Sequence, residues 1–151
     1  MNKMKSRIDH QSTTEIITLL DSFLKTWNDK DLEGFIANFQ DDAEFTDVVS
    51  QTAIGREAIK AQHEFAFNVV MKNASFEMSN HLIREIAPEV ILVSANWLNK
   101  NSQTPDGKIL PDRNGVIQFV ITKDQTEKWK FKLVHNSDFA LPYQKQERFM
   151  K

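Results

Sequence analysis

Several residue types and patterns are scarce in this sequence, and each absence excludes a class of function. Cysteine does not occur among the 151 residues, so disulfides, thiol nucleophiles and thiolate metal sites are excluded. The four glycines are well separated, and they form no glycine-rich phosphate-binding loop. The formal net charge of -2 lacks the basic excess that a nucleic-acid-binding domain usually has. We therefore expect no nucleic-acid partner.

Long apolar runs are also missing. No stretch approaches the roughly 20 consecutive apolar residues that a membrane-spanning helix needs. The first residues do not contain the apolar run of a signal peptide. These absences predict a cytoplasmic protein without a membrane partner. The length of 151 residues is typical of one domain.

The aromatic residues are unevenly distributed among types. There are eleven phenylalanines and three tryptophans against a single tyrosine, so most of the rings fill volume without needing a partner for a hydroxyl group. This composition has two interpretations. The rings form a phenylalanine-rich core, or part of their apolar surface lines a ligand cavity.

The first predicted helix follows a polar start. Residues 1–11 are expected to fray. Ser12 and Glu15 have the spacing of a capping box, in which each side chain satisfies the other residue's backbone amide. Apolar residues then recur at steps of three and four as far as Trp27, which is typical of one buried helix face. The helix is predicted to end near Asn28.

Two further helices are predicted before the middle of the chain. Asp31 is the expected cap of a short helix whose inward face ends at Phe39. A strand at 43–48 and a loop at 50–55 follow. The third helix is predicted over 56–70, and its inward stripe places one histidine among apolar residues: Ile59, His63, Ala66, Phe67 and Val70.

Four strands are predicted in the second half of the chain. Their ranges are 76–86, 90–98, 113–122 and 129–136, with a polar turn over 99–112 between the second and the third. In the last strand, strict alternation places Trp129, Phe131, Leu133 and His135 on one face.

The order of these elements predicts the fold class. Consecutive strands without helices between them pair antiparallel, and helices segregated to one side of such a sheet make an α+β domain. We predict one such domain over residues 12–140, followed by a C-terminal tail over 141–151.

Several short strings in this order resemble the nuclear transport factor 2-like superfamily, and within it the SnoaL-like group that includes the SgcJ/EcaC type. The resemblance covers about residues 13–140. The strings that carry it are Trp27-Asn28, Lys30-Asp31-Leu32, Phe39-Gln40-Asp41-Asp42-Ala43-Glu44-Phe45, Asp47-Val48, Gly55-Arg56-Glu57-Ala58-Ile59 with His63, Trp129-Lys130-Phe131 and His135-Asn136.

The resemblance implies a cone-shaped α+β barrel, in which three N-terminal helices pack on a curved antiparallel sheet and enclose a cavity. Members of the superfamily include isomerases, polyketide cyclases, hydrolases and dehydratases, as well as binding and dimerisation modules without activity. The fold alone therefore does not decide the function. Members commonly dimerise through the outer face of the sheet, so a homodimer is expected.

Asp47 is the first candidate for chemistry. In ketosteroid isomerases of the superfamily, an aspartate after the first short strand is the general base, and Asp47 resembles that position. A carboxylate beside Phe45 and Val48 would lose solvation, which suits proton transfer. Alternatively, Asp47 is a capped or solvated carboxylate at a strand end. Phe23 and Gln118 stand where the isomerases need acidic donors, so the sequence disfavours steroid isomerisation.

Two histidines complete the predicted catalytic set. His63 lies on the apolar stripe of the third helix, where it either forms a hydrogen-bonded part of the core or faces the cavity as a proton carrier. His135 shares its predicted face with Phe131, so it is expected to reach the cavity from the sheet side if that face is concave. The resemblance also implies a pocket role for Asn136.

The remaining predicted site residues would bind ligand. Arg56 begins a helix, where a cation is unfavourable, so we expect it to pair with Asp47 or Asp42. Arg113 follows a polar turn and either binds an anionic ligand or is solvated. The other predicted walls of the cavity are Trp27, Phe35, Phe39, Phe45, Ile59, Phe67, Trp97 and Phe131.

No metal or cofactor is predicted, because the four histidines have no short ligand spacing. Two functions remain open. One is an enzyme that performs cofactor-free acid/base chemistry on an apolar carbonyl compound, as an isomerase, cyclase or dehydratase. The other is a module that binds a small apolar ligand, or that dimerises, without catalysis.

Overall fold

The computed structural model describes residues 8–139, in which helices come first and long strands follow. The helices are α1 (His10–Asp29), α2 (Leu32–Ala37) and α3 (Arg56–Phe65), and a π-helical turn, Ala66–Val70, continues α3. The strands are β1 (Phe39–Thr46), β2 (Thr52–Ile54), β3 (Ser75–Ala87), β4 (Val90–Lys100), β5 (Arg113–Lys123) and β6 (Trp129–Asp138). The predicted α+β class is confirmed. The predictions for residues 1–7 and 141–151 lie outside the described residues.

The cap of α1 differs from the prediction. Asp9 is the N-cap, and its side chain accepts a hydrogen bond from the backbone amide of Ser12 at 2.8 Å. Aspartate caps a helix as well as serine does, so the helix begins earlier than the predicted capping box allows. Glu15 has another partner, because its Oε1 accepts from the indole nitrogen of Trp129 at 3.1 Å.

The predicted second helix is confirmed at its start and is wrong at its end. Asp31 caps α2 by accepting a hydrogen bond from the amide of Gly34 at 3.0 Å. Phe39 is the first residue of β1, not the last inward residue of the helix. Phe39 is buried as predicted, but it belongs to the strand, which begins two residues after α2 ends.

The predicted third helix changes its geometry at Ala66. The amide of Met71 donates to the carbonyl oxygen of Ala66 at 2.6 Å, a bond over five residues that defines a π-helical turn. The amide of Gln103, in the β4–β5 loop, donates to the carbonyl oxygen of Val70 at 2.9 Å. This hydrogen bond connects the π-helical turn to the loop between β4 and β5.

The sheet is curved and mixed, with the strand order β2-β1-β6-β5-β4-β3. All neighbouring pairs are antiparallel except β1 and β6, which run parallel with Thr46 opposite His135. The prediction of an antiparallel sheet is wrong at this pair. The two strands are far apart in the sequence, so no local pattern of residues indicates that they pair. Strand β2 was also missed, within the predicted loop at 50–55.

A β-bulge in β6 reverses the faces predicted for that strand. Phe131 is opposite Ile121 and Leu133 is opposite Val120, so Lys132 is an extra residue on β6. One inserted residue moves each following side chain to the other face. Val134 is consequently fully buried, whereas Leu133 is exposed.

The core lies between the helices and the sheet and consists largely of aromatic rings. Phe23 of α1 contacts Phe35 of α2 with ring centroids 5.3 Å apart, and it contacts Phe119 and Phe131 of the sheet at 5.1 Å and 5.5 Å. Such tilted and edge-on contacts are favourable for aromatic rings. Within residues 8–139, no helix has the length and apolarity that a bilayer span requires.

Candidate functional site

A cavity of about 150 Å³ lies beside this aromatic core. Aromatic side chains from α1, β1, β3 and β4 form much of its wall: Phe23, Trp27, Phe45, Phe76 and Trp97. Polar side chains from the end of β1, from α3 and from β4, β5 and β6 form the rest: Asp47, Gln62, His63, Asn99, Arg113 and Asn136. An apolar wall with a few polar groups is typical of a small-molecule site.

His63 stands in the apolar part of this wall. It is 7% exposed, and its ring lies 4.4 Å from that of Phe45 and 4.8 Å from that of Phe35. Burial lowers its pKa from 6.5 to about 4, although the hydrogen bond to Ile59 and the charge of Asp47 act in the opposite direction. The imidazole is therefore neutral at physiological pH.

The tautomer of His63 follows from its partner. Nδ1 lies 2.8 Å from the carbonyl oxygen of Ile59, and a carbonyl oxygen only accepts, so Nδ1 carries the proton. Nε2 then holds a lone pair. His63 bonds to its own helix and also lines the cavity, and its role as a proton carrier stays a prediction.

Asp47 shapes the loop that follows β1. Its Oδ1 accepts hydrogen bonds from the backbone amides of Val49 and Gln51, both at 3.0 Å. Its Oδ2 lies 3.4 Å from the side-chain nitrogen of Gln62. Asp47 is thus a capping carboxylate that also lines the cavity, and its role as a general base stays a prediction.

Gln62 was missed by the sequence analysis. Its side-chain nitrogen also donates to the carbonyl oxygens of Phe45 at 3.2 Å and Gln51 at 3.1 Å. These contacts fix the orientation of the amide. Its Oε1 is buried without a hydrogen-bond partner among the described residues. The only signal in the sequence was its position directly before His63.

The sheet side of the cavity contributes more unpartnered polar atoms. Trp97 Nε1, Asn99 Oδ1 and Asn136 Oδ1 are buried and have no hydrogen-bond partner within residues 8–139. Trp97 is 3% and Asn99 is 2% exposed. Buried polar groups are normally hydrogen-bonded. A molecule bound in the cavity could supply the hydrogen bonds that these three atoms lack. Asn99 was missed because it falls in the predicted polar turn.

Arg113 lines the cavity and is already paired. Its Nε lies 2.8 Å and one terminal nitrogen lies 2.6 Å from Oδ2 of Asp138. Their side chains are only 25% and 13% exposed, so the pair is partly shielded from water. Asp138, at the end of β6, was not predicted.

Several predicted site residues do not line the cavity. Five are fully buried parts of the core: Phe35, Phe39, Ile59, Phe67 and Phe131. Arg56 forms the expected salt bridge, but with Asp41 instead of Asp47 or Asp42. His135 is exposed, because the bulge at Lys132 turns it to the outer face of the sheet.

The predicted wall residues that do line the cavity are Trp27, Phe45, Trp97, Arg113 and Asn136, together with Asp47 and His63. Their binding or catalytic roles stay predictions. Within the described range, no group of three or more histidine, aspartate or glutamate side chains is arranged to hold a metal ion.

The sequence and the structure were compared with those of known proteins. No protein-family model matches the sequence, and no curated protein sequence matches it either. Many solved structures do match. An uncharacterised protein with a cystatin-like fold from Caulobacter vibrioides is 22% identical, with a TM-score of 0.78 over 93% of this chain and 98% of that one.

Two further matches connect the chain to the resemblance found in its sequence. A ketosteroid isomerase-like protein from Erwinia carotovora atroseptica has a TM-score of 0.73 at 16% identity, over 88% of this chain and 100% of that one. An NTF-2-like protein of unknown function from Shewanella oneidensis has a TM-score of 0.68 at 16% identity, over 83% and 98%. The chain therefore has the cystatin-like, nuclear transport factor 2-like fold, as its sequence predicted.

Proposed function

We propose that the protein is a cofactor-free enzyme that binds a ring-sized carbonyl compound in this cavity and moves a proton on it. The helices and the curved sheet would form a cone around the ligand. The cavity of about 150 Å³ is comparable to an engineered apolar cavity of about 150 Å³ that binds benzene. A single ring fits such a volume, and a steroid does not.

The observation that carries the proposal is the state of His63. It is a neutral imidazole whose Nδ1 proton is held by Ile59 at 2.8 Å, so its Nε2 is the basic atom. The charge of Asp47 raises the pKa of His63 against the effect of burial. A base that gains a proton beside a fixed carboxylate is stabilised in its charged form.

The proton transfer would use three side chains of the cavity wall. His63 Nε2 would take a proton from the carbon next to the carbonyl group, and Asp47 would stabilise the imidazolium. Trp97 Nε1 would donate a hydrogen bond to the carbonyl oxygen as it becomes negative, because this N–H has no partner among the described residues. A preorganised donor at a developing oxyanion is a main source of catalysis.

Deuterium exchange into cyclohexanone tests this proposal without knowledge of the natural substrate. NMR in D2O would follow exchange at the carbons next to the carbonyl group. We expect catalysed exchange by the wild type, a loss of at least tenfold in His63→Phe, and a smaller loss in Asp47→Asn. His135→Ala is the matched control and should exchange like the wild type. Equal rates in wild type and His63→Phe would contradict the proposal.

A binding module without catalysis is the second candidate, and the contacts of Asp47 favour it. Both of its carboxylate oxygens accept hydrogen bonds from the loop after β1 or from Gln62. A His63 pKa of about 4 also makes the imidazole a weak base. Ring compounds that bind without any wild-type exchange would support this candidate.

We further propose a homodimer through the outer face of the sheet. One row of that face carries Leu92, Val120 and Leu133 on neighbouring strands, in register. Leu133 is 36% exposed, and Leu82, on β3, is 52% exposed. Burial of such a row against a second copy would remove apolar surface from water.

A further inference from the structure

The unpartnered polar atoms of the cavity wall are mostly hydrogen-bond acceptors. Gln62 Oε1, Asn99 Oδ1 and Asn136 Oδ1 are amide oxygens, and His63 Nε2 holds a lone pair because Nδ1 carries the proton. Trp97 Nε1 is the single donor among the unpartnered atoms of lining residues within 8–139. A molecule that satisfies this wall must donate more hydrogen bonds than it accepts.

The orientations of two of the amides are fixed by their other atoms. The nitrogen of Gln62 donates to two carbonyl oxygens and approaches Asp47, and an exchange of its oxygen and nitrogen would place oxygen against oxygen. The nitrogen of Asn99 lies 3.2 Å from the sulfur of Met71, which offers no hydrogen to an oxygen atom. Both amides therefore direct an acceptor elsewhere.

The charges of the wall disfavour an anionic ligand. Arg113 is the cation among the lining residues, and its guanidinium makes two contacts of 2.8 Å and 2.6 Å with the carboxylate of Asp138. Asp47 adds a negative charge, while His63 is neutral at pH 7. A carboxylate in the cavity would meet Asp47 without a free cation to compensate it.

We infer that the cavity takes an uncharged, ring-sized molecule that carries two or more hydroxyl groups. This inference rests on the proposed function, since it names the class of compound that the same cavity binds. The hydroxyl hydrogens would satisfy the amide oxygens of Gln62, Asn99 and Asn136. One ligand oxygen would accept from Trp97.

The test compares three ring compounds of similar size by protein-observed NMR titration at pH 7: resorcinol, toluene and benzoate. The variants are Asn99→Leu, which removes an unpartnered acceptor with little change of shape, and Asn136→Leu on a different strand. The control is Asn96→Leu, three residues before Asn99 on β4, whose side chain bonds to Asn80 at 2.9 Å and does not line the cavity.

We expect Asn99→Leu and Asn136→Leu each to weaken resorcinol binding by roughly 3- to 10-fold, as for the loss of one hydrogen bond. Toluene binding should stay equal or become tighter in both variants, and Asn96→Leu should change neither compound. Wild-type benzoate binding should be weaker than resorcinol binding.

Two results overturn the inference while the proposed function survives. One is resorcinol binding that neither cavity variant weakens. The other is benzoate that binds the wild type more tightly than resorcinol. If none of the three compounds binds, the inference fails, and the exchange of cyclohexanone decides the proposed function separately. Should Asn99→Leu not fold, Asn136→Leu alone decides between these outcomes.

Discussion

His63 donates its Nδ1 proton to the carbonyl oxygen of Ile59, one helical turn earlier, at 2.8 Å. The bond lies inside the helix α3, and the imidazole packs against the rings of Phe35, Phe45 and Phe67. The Nδ1 atom therefore has a partner within the fold, and the side chain also lines the cavity. Its protonation state therefore bears on the stability of the fold.

The first prediction concerns the pH dependence of stability. Burial lowers the folded-state pKa of His63 from 6.5 to about 4, so between these values the unfolded chain binds a proton that the folded chain does not. The stability contributed by neutral His63 is complete above pH 6.5 and is lost as the pH falls toward 4. Urea unfolding at pH 7.5 and 4.5 should show a loss of about 2–3 kcal/mol from this group.

The control for that prediction is His63→Phe, which should not show this part of the loss between pH 7.5 and 4.5. His135→Ala, which alters an exposed histidine, should keep it. Equal pH dependence in the wild type and His63→Phe would show that His63 is not buried in its neutral form.

The second prediction concerns Gly115, which lies opposite Trp97 on β5. A Cβ atom there would collide with the carbonyl oxygen of Ser137 and would lie 2.7 Å from the Trp97 ring. Because one of these neighbours is backbone, relief requires movement of a strand. Gly115→Ala should lower the free energy of unfolding by at least about 2 kcal/mol, measured by urea denaturation.

Gly107→Ala is the comparison for this variant. Gly107 has a φ of +92° but no atom within 4 Å of an added Cβ, so only backbone strain applies. Its loss should be about 1 kcal/mol. If Gly115→Ala is no worse than Gly107→Ala, Trp97 does not lie tightly over this glycine.

The third prediction tests the outer face of the sheet. Leu133→Lys places a charge in the apolar row that includes Val120 and Leu92. If this row forms a dimer interface, light scattering should show the wild type as a dimer and the variant as a monomer. Lys25→Glu, on the exposed side of α1, should leave the dimer intact. A monomeric wild type at high micromolar concentration would contradict the proposed interface.

The sequence predicted those parts of the fold that depend on neighbours along the chain. The apolar stripe up to Trp27, the cap at Asp31 and the largely apolar strand at 90–98 each follow from residues close together in the sequence. The parallel pairing of Thr46 with His135 has no such local pattern, because it joins residues at opposite ends of the domain. The bulge at Lys132 adds one residue to a regular alternation, which a pattern alone cannot reveal.

The same distinction explains the site. Asp47 was singled out by its resemblance to the general-base position of ketosteroid isomerases, and His63 because a histidine on an apolar stripe departs from a local pattern. Asn99 and Asp138 stand in polar surroundings in the sequence, and they reach the cavity wall or its arginine only through the register of β4, β5 and β6. The polar part of the site is therefore a product of strand pairing.

The last prediction uses Asp138 to change what the cavity accepts. In the wild type, the carboxylate of Asp138 neutralises Arg113, which lines the cavity. Asp138→Asn keeps the shape of the side chain and removes the negative charge, so Arg113 becomes a cation without a charged partner at this position. Benzoate affinity should rise by about tenfold, equivalent to about 1.4 kcal/mol, whereas resorcinol affinity should change by less than about threefold. Isothermal titration at low and high salt measures both affinities, and added salt should weaken only the gain for benzoate.

Asp41→Asn, which removes the partner of Arg56 away from the cavity, is the matched control and should leave both affinities unchanged. If Asp138→Asn and Asp41→Asn bind benzoate equally, the Arg113–Asp138 pair does not determine the charge that the cavity selects.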